Sequence, residues 1–456
     1  MAYFPFMVEL ADLRGLIVGA GSVAYEKAVR ISEFGSKLRV VAPIVDERFS
    51  KLSNVEIARR PFEEDDIVGD LAFVIVATRD GELNRRIAGR CRDLRIPVNV
   101  VDSKEESSFI FPATTRRGDA VVAVSTGGAA PIVASAVKGM IDAILPDRLG
   151  TIVETLGSAR KRIARIIKNV ETRRRFYRSA LQAAAFKRDA YYADFFERVV
   201  DQTSASPASL GRVVFVGAGS ASADLITLRG AFVLSTCDAV LYDDLIDRAI
   251  LDIVPKNSLR IPVGKRGGAS STRQDDINRK MVELASCGMN VVRLKGGDPF
   301  LFARVEEEIR ALKQNGVPFD VVPGVSSAFY IPMEAGVPLT CRDVSRSVHI
   351  VTAHASDSEV FEELPKFAKL EGTLVVMMGL NVVGKLAESL IAGGKSSDTP
   401  VAVLSGGNSA NPYDVRGTLR DVADKCKRYQ LKSPAVIVIG KVASLNLKSD
   451  FFDSHV

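Results

Sequence analysis

The sequence predicts an α/β fold in which two regions each begin with a parallel sheet. Both regions open with an apolar run that ends in glycines, at 13–18 and at 212–216. A strand followed by a glycine turn and a helix is typical of parallel α/β domains. Between the regions, the small residues and proline of 203–210 predict a linker. A chain of 456 residues is also too long for one compact core.

Composition limits the class of protein. The sequence has no apolar run of about 18 residues, so we expect no membrane span and no signal peptide. Its five cysteines form no CxxC pair, which is typical of the reducing cytoplasm. The formal net charge of +6 suits anionic small molecules and does not call for nucleic acid. Because no histidine precedes His349, a metal handled in the first region is expected to meet carboxylates or the substrate.

The first glycine turn predicts a dinucleotide site. The run GAGSVA at 19–24 fits G-x-G-x-x-G/A and stands between a predicted strand and a helix at 25–34. Gly19 makes the tight turn, Gly21 admits a pyrophosphate, and the helix N-terminus faces the anion. The acid that usually follows the second strand is missing from Ala42-Pro43-Ile44, and Asp46 is the nearest candidate. The choice between NAD and NADP therefore stays open.

Asp102 is the candidate catalytic group of this region. It follows an apolar run at 96–101 that reads as a buried parallel strand after three strand–helix units. Ligands of open α/β sheets bind outside the carboxyl ends of the strands, where a carboxylate can move protons. The alternative is an aspartate that caps a turn. A Ser/Gly turn at 125–131 is equally consistent with an anion site and with a helix cap.

Residues 149–200 read as helices with a basic run at 160–175. A solvated helix face is the default interpretation of such a run. Attraction of an anionic substrate is the second, and nucleic acid is a distant third.

The second region contains two strand–turn units. A strand at 291–295 ends in Gly296-Gly297-Asp298-Pro299, and a strand at 321–322 leads into PGVSS at 323–327. The glycines would let a ligand lie against bare backbone while Asp298 accepts hydrogen bonds. Each unit alone could be a structural turn, whereas the two in this order and spacing are specific.

Four motifs of the first region resemble the amino-terminal half of the siroheme synthase family: VGAGSVA at 18–24, NVVD at 99–102, SFIFPA at 108–113 and VAVSTGGAAP at 122–131. The resemblance implies a precorrin-2 dehydrogenase and sirohydrochlorin ferrochelatase, with ferrous iron as a substrate. It implies an NAD-binding domain at 1–113 and a helical dimerisation segment at 114–202 of a homodimer. It also implies that Asp102 serves both reactions and that Thr126 takes the place of a regulatory phosphoserine. The residues implied to line the NAD site, besides the glycines, are Ser22, Val23, Pro43 and Ile44.

The second region resembles the uroporphyrinogen-III C-methyltransferase domain of the same family, a tetrapyrrole methylase. The resemblance implies a domain at 211–456 whose two α/β subdomains hold S-adenosylmethionine in the cleft between them. It implies Asp243 as proton acceptor and Lys265 as proton donor. The residues implied to bind S-adenosylmethionine are Ser220, Gly296, Gly297, Asp298, Leu301, Ser326, Ser327, Met378 and Gly407.

Some positions depart from the family pattern and leave an alternative open. Ser220-Ala221-Ser222 replaces Pro-Gly-Asp, Phe302-Ala303-Arg304-Val305 replaces Phe-Gly-Arg-Gly, and Cys341 replaces a histidine. The leading hypothesis is a three-step synthesis of siroheme from uroporphyrinogen III by methylation, dehydrogenation and iron insertion. The alternative is an active dehydrogenase and ferrochelatase with a weak or inactive methyltransferase domain that acts as a binding module. A sensor without catalysis is the third hypothesis, and cobalt in place of iron stays open.

Overall fold

The computed structural model describes residues 4–145, 147–186, 200, 211–220, 222–244, 246–264, 274–353, 358–405 and 414–447. The chain divides into two compact units, Met1–Glu154 and Thr155–Val456. The predicted linker at 203–210 lies outside the described residues. Within the described ranges, no helix combines the length and apolar character that crossing a bilayer requires.

A five-stranded parallel sheet organises the first unit, in the order β3-β2-β1-β4-β5. The chain reverses its direction of travel across the sheet between β1 and β4, which is where open α/β sheets bind ligands. Apolar clusters cover both faces of the sheet. The elements are β1 (Arg14–Val18), α1 (Ser22–Ser32), β2 (Lys37–Val41), β3 (Val55–Ala58), β4 (Phe73–Val76), α2 (Gly81–Asp93) and β5 (Val98–Val100).

Two details of this sheet differ from the sequence prediction. Among the described residues, four strands but only two α-helices precede β5, because β2 connects to β3 and β3 connects to β4 through short 3₁₀ helices at Glu47–Lys51 and Glu64–Asp66. The strand predicted at 96–101 is shorter and lies at the edge of the sheet. It is nevertheless buried, because two serine hydroxyls cover its edge. Ser108 Oγ accepts from Val98 N at 2.8 Å, and Ser107 Oγ accepts from Val100 N at 2.9 Å. These hydroxyls satisfy backbone groups that a sixth strand would otherwise bind.

The helices after the sheet are divided between the two units. A hairpin of β6 (Ala113–Arg117) and β7 (Ala120–Val124) packs with α3 (Pro131–Ile144) in the first unit. The boundary at 154/155 falls inside α4 (Leu149–Ile166), and α5 (Val170–Phe186) belongs to the second unit. Within the range predicted as helical, 149–200, residues 187–199 lie outside the described part.

The described residues of the second unit form two sheets of five strands each. The first is parallel, in the order β10-β9-β11-β8-β12, and the second is mixed, in the order β13-β14-β17-β15-β16. This arrangement confirms the predicted α/β fold with two subdomains. The elements of the first sheet are β8 (Arg212–Gly217), α6 (Leu228–Ser235), β9 (Ala239–Tyr242), β10 (Leu259–Pro262), α7 (Gln274–Ser286), β11 (Asn290–Lys295), α8 (Val305–Gln314) and β12 (Phe319–Val322). Those of the second are α9 (Ser327–Glu334), β13 (Val348–Thr352), α10 (Ser358–Phe367), β14 (Thr373–Met377), α11 (Val383–Ala392), β15 (Pro400–Leu404), β16 (Asp414–Thr418), α12 (Val422–Arg428) and β17 (Val436–Ile439).

Candidate active sites

The glycine turn after β1 has the shape of a phosphate site. Gly19 has a φ of +99°, and a Cβ there would collide with the backbone carbonyl of Ala77 after β4. Gly21 precedes α1, and a Cβ on it would meet no described atom within 4 Å. Ser22 and Val23, in the first turn of α1, are exposed. The N-terminus of α1 is therefore open from Gly21 onwards, which fits the pyrophosphate of a dinucleotide.

The segment after β2 crosses the glycine turn. Pro43 and Ile44 are exposed, and Asp46 N donates to Ala20 O at 3.0 Å. The Asp46 carboxylate is occupied by Arg48, whose backbone N, Nε and Nη2 donate to it at 3.0, 3.0 and 2.7 Å. These hydrogen bonds lower the pKa of Asp46 to about 2. Asp46 thus lies beside the glycine turn, but its carboxylate is already paired with Arg48.

Asp102 lies at the carboxyl end of the sheet in an unusual backbone conformation. It follows β5, is exposed, and has a φ of 61°. Residues other than glycine adopt this left-handed region at a cost, and such residues cluster at functional sites. The turn is held by Ser103 N, which donates to Val100 O, and by Ser107 Oγ, which donates to Ser103 O at 2.7 Å. The hydroxyl of Ser107 therefore stabilises the turn that carries Asp102 after the end of β5.

Lys27 is a charged neighbour of Asp102 that the sequence analysis missed. It lies on α1, with its Nζ 4.2 Å from the centroid of the Phe111 ring. Burial lowers the pKa of Lys27 and Arg30 adds to this effect, whereas the Asp102 carboxylate opposes it. A lysine on a helix surface is common, so its residue type and spacing give no signal. Only the fold brings Lys27, Phe111 and Asp102 together.

The Ser/Gly turn before α3 adjoins the same loop. Thr126 Oγ1 accepts from Ala130 N at 3.1 Å, and Ser125 Oγ accepts from Gly127 N at 3.1 Å. A Cβ on Gly128 would lie 3.6 Å from Cδ of Lys104, two residues after Asp102. The half-buried Thr126 thus belongs to a turn beside the loop of the candidate catalytic carboxylate.

Three loops at the carboxyl ends of β8, β11 and β12 build the second site. Gly297 N donates to Gly219 O at 2.8 Å, and Gly219 N donates to Gly297 O at 3.3 Å. A Cβ on Gly217 would lie 2.5 Å from the backbone of Gly324, so glycine is required there. The loops therefore approach one another through bare backbone.

Polar side chains hold these loops together. Asp298 Oδ1 accepts from Phe300 N at 2.8 Å, and Oδ2 accepts from Gly324 N at 3.0 Å. Ser220 Oγ donates to Val325 O at 3.1 Å, and Ser326 Oγ accepts from Ala328 N at 3.2 Å. Gly297 is hydrogen-bonded to Gly219 through both its N–H and its carbonyl group, whereas Gly296 is exposed. A Cβ on Gly296 would meet no described atom within 4 Å, and that opening fits S-adenosylmethionine.

The other residues expected at this site lie around the cleft or outside the described part. Ser327 begins α9, and Leu301 packs against the core of the second sheet. Met378 follows β14 with a φ of 55° and a side chain that is 47% exposed. Lys265 and Gly407 are among the residues that the structure does not describe.

Asp243 follows β9 at the carboxyl end of the same sheet. Its Oδ1 accepts from Arg293 Nη2 at 2.6 Å. Arg293 and Lys295 on β11 are buried and pair with Glu308 on α8. Both cations lie within the strand predicted at 291–295, but the sequence indicated no role for either of them.

Ala303 and Val305 take the places of the two glycines in the family motif Phe-Gly-Arg-Gly, and the backbone accepts both residues without strain. Left-handed conformations occur at Phe302 and Arg304, whereas Ala303 has none. Val305 begins α8 and is buried in the core of the first sheet, and Arg304 Nε donates to Glu307 at 2.8 Å. The two lost glycines therefore do not fall on positions that require positive φ.

Across the described residues, no three His, Cys, Asp or Glu side chains come together as a group that could hold a metal ion. A resident metal cluster is therefore not among the described features. Ferrous iron is a substrate of the family's reaction and not a resident metal.

Two family models match the chain on either side of its helical segment. Residues 6–113 match a putative NAD(P)-binding family, and residues 212–423 match the tetrapyrrole (corrin/porphyrin) methylases. Folds and matches together define an enzyme that combines an NAD(P)-binding domain with a tetrapyrrole methylase domain.

Curated relatives join both halves in one chain. Siroheme synthase of Nitrosomonas europaea is 35% identical over 100% of this chain and 97% of its own length. Siroheme synthase of Pseudomonas fluorescens is 35% identical over 99% of both. The uroporphyrin-III C-methyltransferase structure from Thermus thermophilus is 32% identical, covers 51% of this chain and 98% of its own, and has a TM-score of 0.44. The chain belongs to the siroheme synthase family.

Proposed function

We propose that this chain converts uroporphyrinogen III to siroheme in three steps. The steps are two C-methylations to precorrin-2, dehydrogenation to sirohydrochlorin, and insertion of ferrous iron. The observation that carries this proposal is the 35% identity to siroheme synthases along the whole chain, across both sites. NAD and S-adenosylmethionine are the cofactors.

Dehydrogenation suits the site at the carboxyl end of the first sheet. It removes a hydride and a proton from the macrocycle, and bound NAD supplies the hydride acceptor. Asp102 is the carboxylate that accepts the proton, because it is exposed at the end of β5. The lysine on α1 supplies positive charge beside it.

Iron insertion uses the same carboxylate. The pyrrole nitrogens must lose their protons as the metal enters. Asp102 first releases the proton of the dehydrogenation step to solvent, and then accepts the pyrrole protons one at a time and passes each to solvent. No histidine precedes residue 349, so this region has few competing bases. Phosphorylation of Thr126 would add negative charge beside this loop and oppose binding of an anionic tetrapyrrole.

Methyl transfer belongs to the cleft of the second unit. Bound S-adenosylmethionine supplies the methyl group, and the protein aligns the reactants and takes up the proton that the pyrrole carbon releases. Asp243 is the acceptor, and Lys265 is the donor to the substrate. The loops at 296–298 and 324–327 hold the cofactor against their backbone.

We also propose a cytoplasmic homodimer that associates through the segment 114–202. Support comes from α3, which presents Ile132, Met140 and Ile144 at 80%, 67% and 52% exposure. An apolar face of this kind on one helix marks an interaction site.

The role of Asp102 is tested by the variant Asp102→Asn. We expect NADH formation from precorrin-2 to fall by at least 100-fold, since the amide cannot accept the proton, while NAD binding measured by calorimetry is retained. Asp12→Asn is the matched control, because Asp12 is also exposed and has the same φ of 61°. Wild-type NADH formation by Asp102→Asn would remove the residue from this role.

A second assay separates the proposal from its alternative. Full-length protein is given uroporphyrinogen III and S-adenosylmethionine, and precorrin-2 is followed by absorbance. Its formation supports all three steps. No methylation, with precorrin-2 added separately still converted to siroheme, would favour the alternative of a weak methyltransferase domain.

A further inference from the structure

Three charged side chains are buried inside the first sheet of the methyltransferase unit. Arg293 and Lys295 are two residues apart on β11, so they lie on one face of the strand, and they are 3% and 4% exposed. Glu308 on α8 is 0% exposed. Burying charges is costly even when they are paired, and apolar residues of similar volume often give equal or greater stability. Stability alone therefore does not explain why these three charged side chains are buried.

The hydrogen bonds of the cluster lead from the core to the cleft. Glu308 Oε1 accepts from Arg293 Nε at 3.0 Å, and Glu308 Oε2 accepts from Lys295 Nζ at 2.9 Å. Arg293 Nη1 donates to Leu294 O at 3.1 Å. The remaining amino group, Nη2, donates to Asp243 Oδ1 at 2.6 Å. The Asp243 side chain is 31% exposed, so the connection ends at the surface of the site.

We propose that Arg293 is a positioning residue for Asp243 and that Glu308 holds Arg293 in the required orientation. This inference rests on the proposed function of Asp243 as proton acceptor. Contacts at Nε and Nη1 fix the plane of the guanidinium, and Nη2 then fixes one carboxylate oxygen of Asp243. A lysine ammonium is a point donor without this rigid fork and does not reproduce the three contacts.

The expected signature is a loss of rate without a loss of binding. Misplacement of a reacting group by about 1 Å costs on the order of 100-fold in rate. We expect Arg293→Met to lower kcat for methylation of uroporphyrinogen III by about 100-fold, and Arg293→Lys and Glu308→Gln by about 10-fold. KM for both substrates and the Kd of S-adenosylhomocysteine should change less than about 3-fold, because the hydrogen bonds of Arg293 run to Glu308, Leu294 O and Asp243 and not to the glycine loops.

The matched control is Arg212→Lys. Arg212 is a half-buried arginine of the same sheet and pairs with Asp320, but it lies at the amino end of β8, opposite Asn290. This control should lower thermal stability with kcat unchanged. Glu308→Gln keeps the size of the side chain and is the second variant if Arg293→Met does not fold.

The kcat values of these variants decide the inference. A kcat drop with unchanged KM in Arg293→Lys and Glu308→Gln, absent from Arg212→Lys, supports it. Wild-type kcat in Arg293→Lys and Glu308→Gln, or a drop that only parallels lost S-adenosylhomocysteine binding, overturns it. Asp243→Asn distinguishes a failure of the proposed role of Asp243 from a failure of the positioning role of Arg293. If this variant keeps wild-type kcat, the proposed role of Asp243 itself fails. If Asp243→Asn loses kcat while the other two variants do not, only the positioning role fails.

Discussion

Asp46 and Arg48 form an ion pair in the segment after β2. Residues of this segment usually distinguish NAD from NADP, and the sequence alone did not decide between the two. In related folds an acid after the second strand binds the ribose hydroxyls of NAD, and a nearby arginine accommodates the 2′-phosphate of NADP. Here one of each is present, and they bind each other beside the glycine turn. The guanidinium of Arg48 also lies 4.5 Å from the centroid of the Tyr25 ring, which holds it there.

Removing the arginine should shift the enzyme towards NAD. In Arg48→Ala the Asp46 carboxylate loses its partner, so it can accept from a ribose hydroxyl and repels a 2′-phosphate. We expect the ratio of Kd for NADP to Kd for NAD to rise about tenfold, measured by calorimetry with each dinucleotide. Arg14→Ala is the control, since Arg14 also pairs with an aspartate, Asp70, but at the amino end of β1. An unchanged ratio in Arg48→Ala would show that the pair does not contact the ribose.

Single residues differ in how well sequence alone identifies them. The position of Asp102 at the carboxyl end of the first sheet could be predicted, because it directly follows an apolar run that reads as a strand. The contacts of Lys27 and Glu308 could not be predicted, since both look like ordinary charged residues of a helix surface. Their partners come from other parts of the chain, Phe111 for Lys27 and Arg293 for Glu308. Only the tertiary fold supplies those contacts.

Among the elements, strands with continuous apolar runs were predicted well. β1, β8 and β11 begin and end within about one residue of the prediction, because apolar runs bounded by glycines read directly as parallel strands. The edge position of β5 was missed. The hydroxyls of Ser107 and Ser108 bind the open edge of β5. Two neighbouring serines in a sequence do not predict that they will bind a strand edge.

Helix α5 is joined to the methyltransferase unit by a buried ion pair. Arg178 Nη1 donates to Asp238 Oδ1 at 2.5 Å, and Asn290 N donates to Oδ2 of the same carboxylate at 2.9 Å. The Arg178 and Asp238 side chains are 19% and 5% exposed. The basic run of this segment was predicted as a solvated face, but Arg178, just beyond it, is a structural contact of the second unit.

We expect Arg178→Met to destabilise the second unit by about 2 kcal/mol, the value of a hydrogen bond to a charged group. The measurement is thermal unfolding of the full chain, with S-adenosylhomocysteine added to identify the transition of the second unit by its shift. Arg174→Met is the control on the same helix, because its pair with Glu171 is exposed and such pairs contribute little. Equal shifts for the two variants would contradict a special role of Arg178.

At the scale of the whole molecule, the chain carries two sites in two separate units. Both predicted cofactor classes and the predicted family are confirmed, because the motifs that identify them are local runs of glycine and small residues. The association of two chains, by contrast, cannot be predicted from local motifs of this kind. A dimer depends on which apolar surface remains uncovered after folding, and the sequence of α3 alone does not distinguish its core face from its outer face.

The exposed face of α3 makes the predicted dimer testable. Met140→Glu places a charge among the exposed apolar residues Ile132 and Ile144, so burying this face in an interface would require desolvating the carboxylate. We expect wild-type protein to sediment at twice the mass of the chain and Met140→Glu to sediment as a monomer at micromolar concentration. Ser135→Glu is the control, because Ser135 is exposed on another side of the same helix. A Met140→Glu protein that remains dimeric would place the interface elsewhere, whereas dissociation of both variants would indicate a general effect of charge on α3.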